Sequence, residues 1–385
     1  MKSLCENLEP GRATLLGPPG ERLESGSEEV EPRALGPARW DWKDVRRVLV
    51  VRLRSIGDTV LSTPALYALR RFLPDARIDV LLEDWVAPVL DGFTDVDSVL
   101  TIERGATAIN RARLARELRA IRYDVAFNLH GGTTATLLTR ATGARHRVGF
   151  ADYQYARLHN RTAPSPIELW GRTNLHSVEQ QLSLLGWTGV PVSDRPRTRL
   201  TVTQEAAASI DARLRASGFN EATTFALVHP AAAFETKRWD VRNFARMTEY
   251  LHARSLNCVA VAAPNEAGIV NELVREASAP VTALTDLSLQ EVTALAARSR
   301  LFVGNDSGIA HIAAAVGAPS VVIFGSSNIT HWRPWASGPA EVVREELPCQ
   351  PCPGYTCAEF DQPECIRRVP LERVVAAIER VIEEK

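Results

Sequence analysis

Apolar residues first run together at Val48, Leu49, Val50 and Val51. A strand covered on both faces reads this way, because parallel sheets carry helices on each side. After this run the pattern alternates in kind, predicting a helix over 59–72, a strand over 78–82, a helix over 108–121, a strand over 125–129 and a helix over 178–185. A stretch rich in Gly, Pro and polar residues then runs to about Thr198 and reads as a linker. The rhythm restarts beyond it. Helices are expected over 204–217, 241–255, 266–277, 289–297 and 309–316, with strands over 225–228, 258–262, 301–303 and 320–324. A last helix over 371–382 begins just after Pro370 and is expected to pack back across the cleft. Two successive βαβ patterns imply two open α/β sheets, which bind ligands at the carboxyl ends of their strands.

Length and composition sharpen this organisation. At 385 residues, with 45% hydrophobic and 24% charged residues, the chain is long enough for two packed domains and too apolar for general disorder. The expected boundaries are a disordered extension over 1–44, an N-terminal domain over 45–190, a C-terminal domain over 200–369 and a C-terminal helix over 370–385. The extension mixes Gly, Pro, Glu and Ser without apolar period, so it has little surface to bury against its ordering entropy. A net charge of −1 leaves no global basic field for nucleic acid. No apolar run reaches the roughly 18 residues of a membrane span and the N-terminus lacks a secretory core, so the cytoplasm is the expected compartment. There are four lysines against forty-one arginines, and only Lys237 lies in the body of the chain.

Several strand ends carry chemistry. Asp58, in the turn Arg54-Ser55-Ile56-Gly57-Asp58, reads either as the N-cap of the following helix or as a carboxylate that takes a proton from a substrate hydroxyl. Lys237 and Arg238 follow a strand and precede a helix, so they read as an anion contact or as a solvated basic pair. In the segment Gly304-Asn305-Asp306-Ser307-Gly308-Ile309-Ala310-His311, the first N–H groups of a helix face outward after a buried strand, which suits a phosphate or a structural turn. His130-Gly131-Gly132 ends another strand and reads as an acceptor contact or as a structural histidine. Neither a P-loop nor a G-x-G-x-x-G fingerprint occurs. Cys349, Cys352, Cys357 and Cys365 could hold a structural Zn²⁺, stay reduced or form labile disulfides; their spacing does not choose.

Taken in order, VVRLRSIGDTVLSTPAL, NLHGG, HP followed by TKRW, APNE, GNDSGIAHIAAAVGAPSVVIFG and the cysteine-bearing tail resemble the bacterial heptosyltransferases of glycosyltransferase family nine, from about Arg47 onward. The resemblance implies a GT-B fold, with two Rossmann-like open-sheet domains facing across a cleft. It implies inverting, metal-independent transfer of heptose from ADP-heptose to a lipid A-linked inner-core acceptor, with no cofactor. The partners implied are the nucleotide-sugar donor and that lipopolysaccharide acceptor, met by peripheral contact at the inner face of the inner membrane. By position it makes Asp58 the general base, Lys237 the contact to the donor phosphates, Glu266 the ribose ligand and Leu287 the flank of the adenine. Asp306, Ser307, Gly308 and His311 become the diphosphate and sugar turn, with His130 and Gly131 on the acceptor side.

The chain departs from the family pattern at Ala231-Ala232-Ala233, where Gly and a hydroxyl residue are usual after His-Pro, and at Ala262-Ala263 in place of Gly-Gly. Arg70, Arg71, Arg111 and Arg113 are expected either to meet a phosphorylated acceptor or to be solvated. The pair Asp95 and Asp97 belongs to the first domain, away from the expected donor pocket. Alternatives are a relative using another nucleotide sugar, one with a non-lipopolysaccharide acceptor, or a catalytically silent binding protein.

Overall fold

The computed structural model of the chain describes residues 31–352 and 355–383. The first lobe is built on β1 (Arg47–Val51), β2 (Arg77–Glu83), β3 (Ser98–Ile102), β4 (Val125–Asn128), β5 (His146–Phe150) and β6 (Arg161–Ala163), in the order β3-β2-β1-β4-β5-β6. The second is built on β7 (Phe225–His229), β8 (Asn257–Val261), β9 (Val281–Leu284), β10 (Leu301–Asn305), β11 (Ser320–Phe324) and β12 (Ala340–Arg344), in the order β12-β11-β10-β7-β8-β9. Every pairing is parallel. The continuous aliphatic runs explain this, since β1, β4, β7, β10 and β11 are almost wholly buried on both faces.

Helices of the first lobe are α1 (Ile56–Val60), α2 (Thr63–Phe72), α3 (Ala108–Ile121), α4 (Thr133–Ala141), α5 (Pro166–Trp170) and α6 (Ser177–Gly186). Those of the second are α7 (Gln204–Ala216), α8 (Val241–His252), α9 (Ala267–Glu276), α10 (Leu289–Arg298), α11 (Gly308–Ala315), α12 (Ile329–Trp332), α13 (Glu364–Arg367) and α14 (Leu371–Glu383). The single helix expected over 59–72 is two. Pro64 lies in the first turn of α2, where its missing N–H costs nothing, and the Ser62 and Thr63 hydroxyls donate to the carbonyls of Thr59 and Val60 at 2.7 and 2.8 Å. α1 therefore starts one residue after Ser55, close behind β1, and is free to turn from the axis of α2.

Two expectations are corrected. Residues 31–44 are not a disordered tail but packed chain. Leu35 donates its N–H to Gly186 O at 3.0 Å, the Trp42 indole donates to Thr188 O at 2.9 Å, and Trp40 stacks on His146 with centroids 4.3 Å apart. Two tryptophans and a leucine supply the apolar surface that the Gly-, Glu- and Ser-rich part lacks; residues 1–30 of the expected extension lie outside the described residues. The second correction concerns α14, which packs on α8, β11 and β12 of its own lobe instead of returning across the cleft. Its buried stripe, Val374, Ala377, Ile378 and Val381, matches that sheet face.

The lobes are joined by other pieces. Ile312 and Ala315 of α11, with Trp335, belong to the core of the first lobe. His176 Nε2 donates to Arg333 O at 2.7 Å, the Trp335 indole to Pro196 O at 2.9 Å and the Gln290 amide to Pro88 O at 2.7 Å. Two glycines set the approach of α1 to α11. A Cβ on Gly308 would stand 2.8 Å from Ile56 Cβ, and one on Gly57 would stand 2.7 Å from His311 Cδ2. No helix of the described residues is long and apolar enough to cross a membrane.

Candidate active site

In an open sheet, loops leave in opposite directions where the strand order reverses, opening a crevice at the carboxyl ends of the two strands concerned. Here the reversals fall between β1 and β4 in the first lobe and between β7 and β10 in the second. Most of the residues singled out in the sequence stand at these two places.

In the second lobe, Asn305 ties the reversal together. Its side-chain amide donates to Pro230 O at 2.8 Å and its carbonyl accepts the Trp239 N–H at 3.1 Å. Next to it, Lys237 Nζ donates to Asp306 Oδ2 at 2.7 Å, and the Ser327 hydroxyl donates to the same oxygen at 2.6 Å. The basic pair is split by role: Lys237 turns to the crevice, while Arg238 Nε donates to Ala232 O at 2.7 Å and holds the loop. Ser307 is the N-cap of α11, accepting from Ala310 N at 3.4 Å, so the outward N–H groups at the helix start remain for an anion.

Four site residues follow four neighbouring strands. Asp306 comes after β10, Lys237 after β7, Glu266 after β8 and Leu287 after β9, and these strands are adjacent in that order. Three strand spacings make this row about 14 Å long. Glu266 is half-buried at the end of a 3-10 turn, Pro264–Glu266, and Leu287 is half-buried against the core of its lobe. Beneath the row, His229 is buried with its Nδ1 donating to Val261 O at 2.9 Å, and burial takes its pKa down to about 4.

In the first lobe, Asp58 is the third residue of α1 rather than its N-cap. Ser55 caps, and Asp58 Oδ2 accepts both the Ser55 N–H and its hydroxyl at 3.1 Å, closing a capping box. Its other oxygen takes a short ion pair from Arg52 Nη2. The same guanidinium donates through Nη1 to Leu129 O at 3.2 Å and lies 3.4 Å from His130 Nδ1. The His130 and Gly131 N–H groups both donate to Asn128 Oδ1, at 3.1 and 2.9 Å. Gly131 sits at φ +86° with the Tyr153 ring 2.9 Å from where a Cβ would be, so only glycine fits the turn. Burial, then the charge of Arg52, lowers the His130 pKa to about 4.

His311 lies between the two halves. It is buried, its Nδ1 has no hydrogen-bond partner, and burial lowers its pKa against the attraction of both Asp306 and Asp58. At Arg52, the ion-pair partner of Asp58, a cavity of about 370 Å³ opens between the lobes. Arg52, His130, Tyr153 and Gln181 of the first lobe line it together with His331 and Trp332 of the second.

Other sequence candidates resolve as structure. Arg70 pairs with Asp97 at 2.5 Å, Arg71 grips Asp194 with both Nη atoms, Arg113 pairs with Glu117 along the solvent face of α3, and Arg111 is exposed on the same helix. Among the described residues no group of three or more His, Cys, Asp or Glu is arranged to hold a metal, and the thiols of Cys349, Cys352, Cys357 and Cys365 are not disulfide-bonded. Burial, with the other three thiols nearby, instead pushes Cys365 up to about 11. Sequence reasoning missed Arg52 and Ser327. Two arginines, Arg52 and Arg54, follow the aliphatic run of β1, and the sequence does not say which of them reaches Asp58; Ser327, a serine in a polar loop, gave no signal.

The sequence model of Glycosyltransferase family 9 (heptosyltransferase) matches residues 111–361. Lipopolysaccharide heptosyltransferase 3 of Escherichia coli is 28% identical over 348 residues, which cover 86% of this chain and 97% of that protein. Among solved structures, a family 9 glycosyl transferase from Veillonella parvula superposes with a TM-score of 0.77 at 19% identity, covering 88% of this chain and 98% of its own. The ADP-heptose heptosyltransferase II of E. coli gives 0.72 at 21%, with the same coverage. These likenesses give the two-sheet arrangement as the GT-B fold, and the chain belongs to glycosyltransferase family 9, the heptosyltransferases.

Proposed function

We propose that this chain moves a heptose from ADP-heptose to a hydroxyl of a lipopolysaccharide inner-core acceptor, inverting the anomeric carbon in one displacement without a metal ion. The observation that carries this reading is the facing of the two strand-order reversals. A lysine held by Asp306 beside a helix N-terminus stands in one lobe and a held carboxylate in the other, with His311 in electrostatic reach of Asp306 and Asp58 alike.

Along the row, Leu287 flanks the adenine, Glu266 accepts from the ribose hydroxyls, and Lys237 with the N–H groups of Ser307 and Gly308 meets the diphosphate. Asp306 and His311 face the sugar. The acceptor oxygen attacks the anomeric carbon from the side opposite the diphosphate, and its proton passes to Asp58. The bond to the β-phosphate oxygen breaks and its electron pair leaves with ADP. Lys237 and the α11 start stabilise that developing charge, the part a cation plays elsewhere. The cavity at Arg52 is large enough for the terminal sugar of the acceptor, whose lipid remains in the bilayer and is met peripherally. Ala231, Ala232 and Ala262 are buried, so their methyl groups bear on the packing below the donor.

The test is ADP release from ADP-heptose with a deep-core lipid A acceptor, set beside GDP- and UDP-sugars. Turnover with ADP-heptose that disappears in Asp58→Ala supports the reading. Equal turnover with another nucleotide sugar, or full rate in both Asp58→Ala and Lys237→Ala, overturns it.

A further inference from the structure

Arg52 spans the floor of the acceptor cavity and touches two groups that the reaction would use in different ways. One guanidinium nitrogen holds Asp58; the other donates to Leu129 O and faces His130 Nδ1. Arginine has only donors, so Nδ1 must accept and the ring proton must sit on Nε2. Among the described residues no group hydrogen-bonds Nε2, and the residue lines the cavity. The backbone of His130 is fixed independently by Asn128.

We infer that His130 is a neutral Nε2–H donor to the acceptor sugar, and that Arg52 is the positioning residue that fixes both this tautomer and the place of the Asp58 carboxylate. The inference rests on the acceptor-side reading above and deepens it. A planar fork sets the relation between the two groups it touches more tightly than an ammonium would. The charged groups around the ring are Arg52 at the end of β1, Arg54 in the next turn and Asp58 on α1; two are cations, and burial also opposes an imidazolium. The acceptor is therefore a sugar ring with a second oxygen near its nucleophilic hydroxyl. One oxygen accepts from His130 while the other loses its proton to Asp58. Acceptors without the second oxygen bind about tenfold more weakly, the range of one hydrogen bond.

Two measurements on the full chain test this. In ¹⁵N-histidine NMR, His130 should show an unprotonated Nδ1 and a protonated Nε2 throughout pH 5 to 8, its Nε2 signal should move when delipidated inner-core oligosaccharide is added, and Arg52→Lys should mix the tautomers. A ring protonated at Nδ1, one titrating near 6.5, or a signal indifferent to the oligosaccharide overturns the inference. In the ADP-release assay, His130→Ala should raise the acceptor KM about tenfold, the range of one hydrogen bond, with the donor KM within about twofold. His130→Gln, whose amide can replace the Nε2–H, should recover much of this. An unchanged acceptor KM in His130→Ala sinks the inference while leaving heptosyl transfer intact. Absence of ADP release from the wild type sinks the functional reading, and the NMR result then decides the Arg52–His130 pair alone.

Discussion

The two lobes reverse strand order at equivalent places in their winding, yet fill those places differently. In the second lobe the crevice is shaped by side-chain amide and carboxylate bonds that join strand ends: Asn305 to Pro230 and Trp239, Asp306 to Lys237 and Ser327. In the first lobe a single arginine gathers the carboxylate, a carbonyl and a histidine. The second arrangement keeps a cation and a helix start ready for a charged ligand whatever the acceptor. The first makes geometry depend on one side chain, which suits the half of a reaction where direction matters more than charge.

The largest expected effect tests the first lobe. Asp58→Ala should cut kcat by 10² to 10⁴, the usual worth of a positioned base, measured by ADP release. A loss below threefold would mean the proton goes elsewhere. Lys237→Ala tests the second lobe and should cost about 10² in kcat while leaving Asp306 buried without its cation. A melting temperature unchanged by that substitution would show the pair to be loose.

Acidification compares seam and lobe. His176 at the seam and His229 under the donor row are held neutral, with pKa values of about 3 and about 4. Both lie below the unfolded value near 6.5, so the unfolded chain binds more protons between pH 4 and 6.5. Their stabilisation is complete above about pH 7 and is lost as pH falls toward 4, on the order of 3 kcal/mol for each. Thermal melts at pH 7.5 and 4.5 read this directly, and equal midpoints would contradict it. Gly308→Ala should lower the rate by about tenfold, because a misplacement of an ångström is costly; the binding of ADP alone should change little. Glu266→Gln is the mildest change. It should raise the donor KM a few-fold, the loss of the charge from one hydrogen bond, and leave kcat unaltered.

What the sequence showed and what it hid follows from burial. β1, β2, β4, β7, β8, β10 and β11 were all legible, because strands covered on both faces of a parallel sheet read as mostly aliphatic runs, with single polar exceptions such as the buried Asp79 of β2. Every outermost strand, β3, β6, β9 and β12, was invisible, since an edge can carry polar side chains such as Arg161 or Glu341 and exposes part of its surface. β5 was missed for another reason: His146 and Gly149 interrupt its apolar run. At the site, turns between central strands and helices announced Asp58, Lys237 and Asp306. Arg52 escaped because nothing local shows which neighbour an arginine will reach six residues on. The tryptophans at 40 and 42 escaped because a polar composition on one side of them masked two large apolar anchors.

Ile312, Ala315 and Trp335 belong by sequence to the nucleotide half but are buried in the core of the other. Neither half is therefore complete by itself: a first lobe ending near residue 200 would leave a wet hole where Trp335 belongs. The two should melt in one cooperative transition, and separately expressed halves should be recovered as soluble protein only when made together.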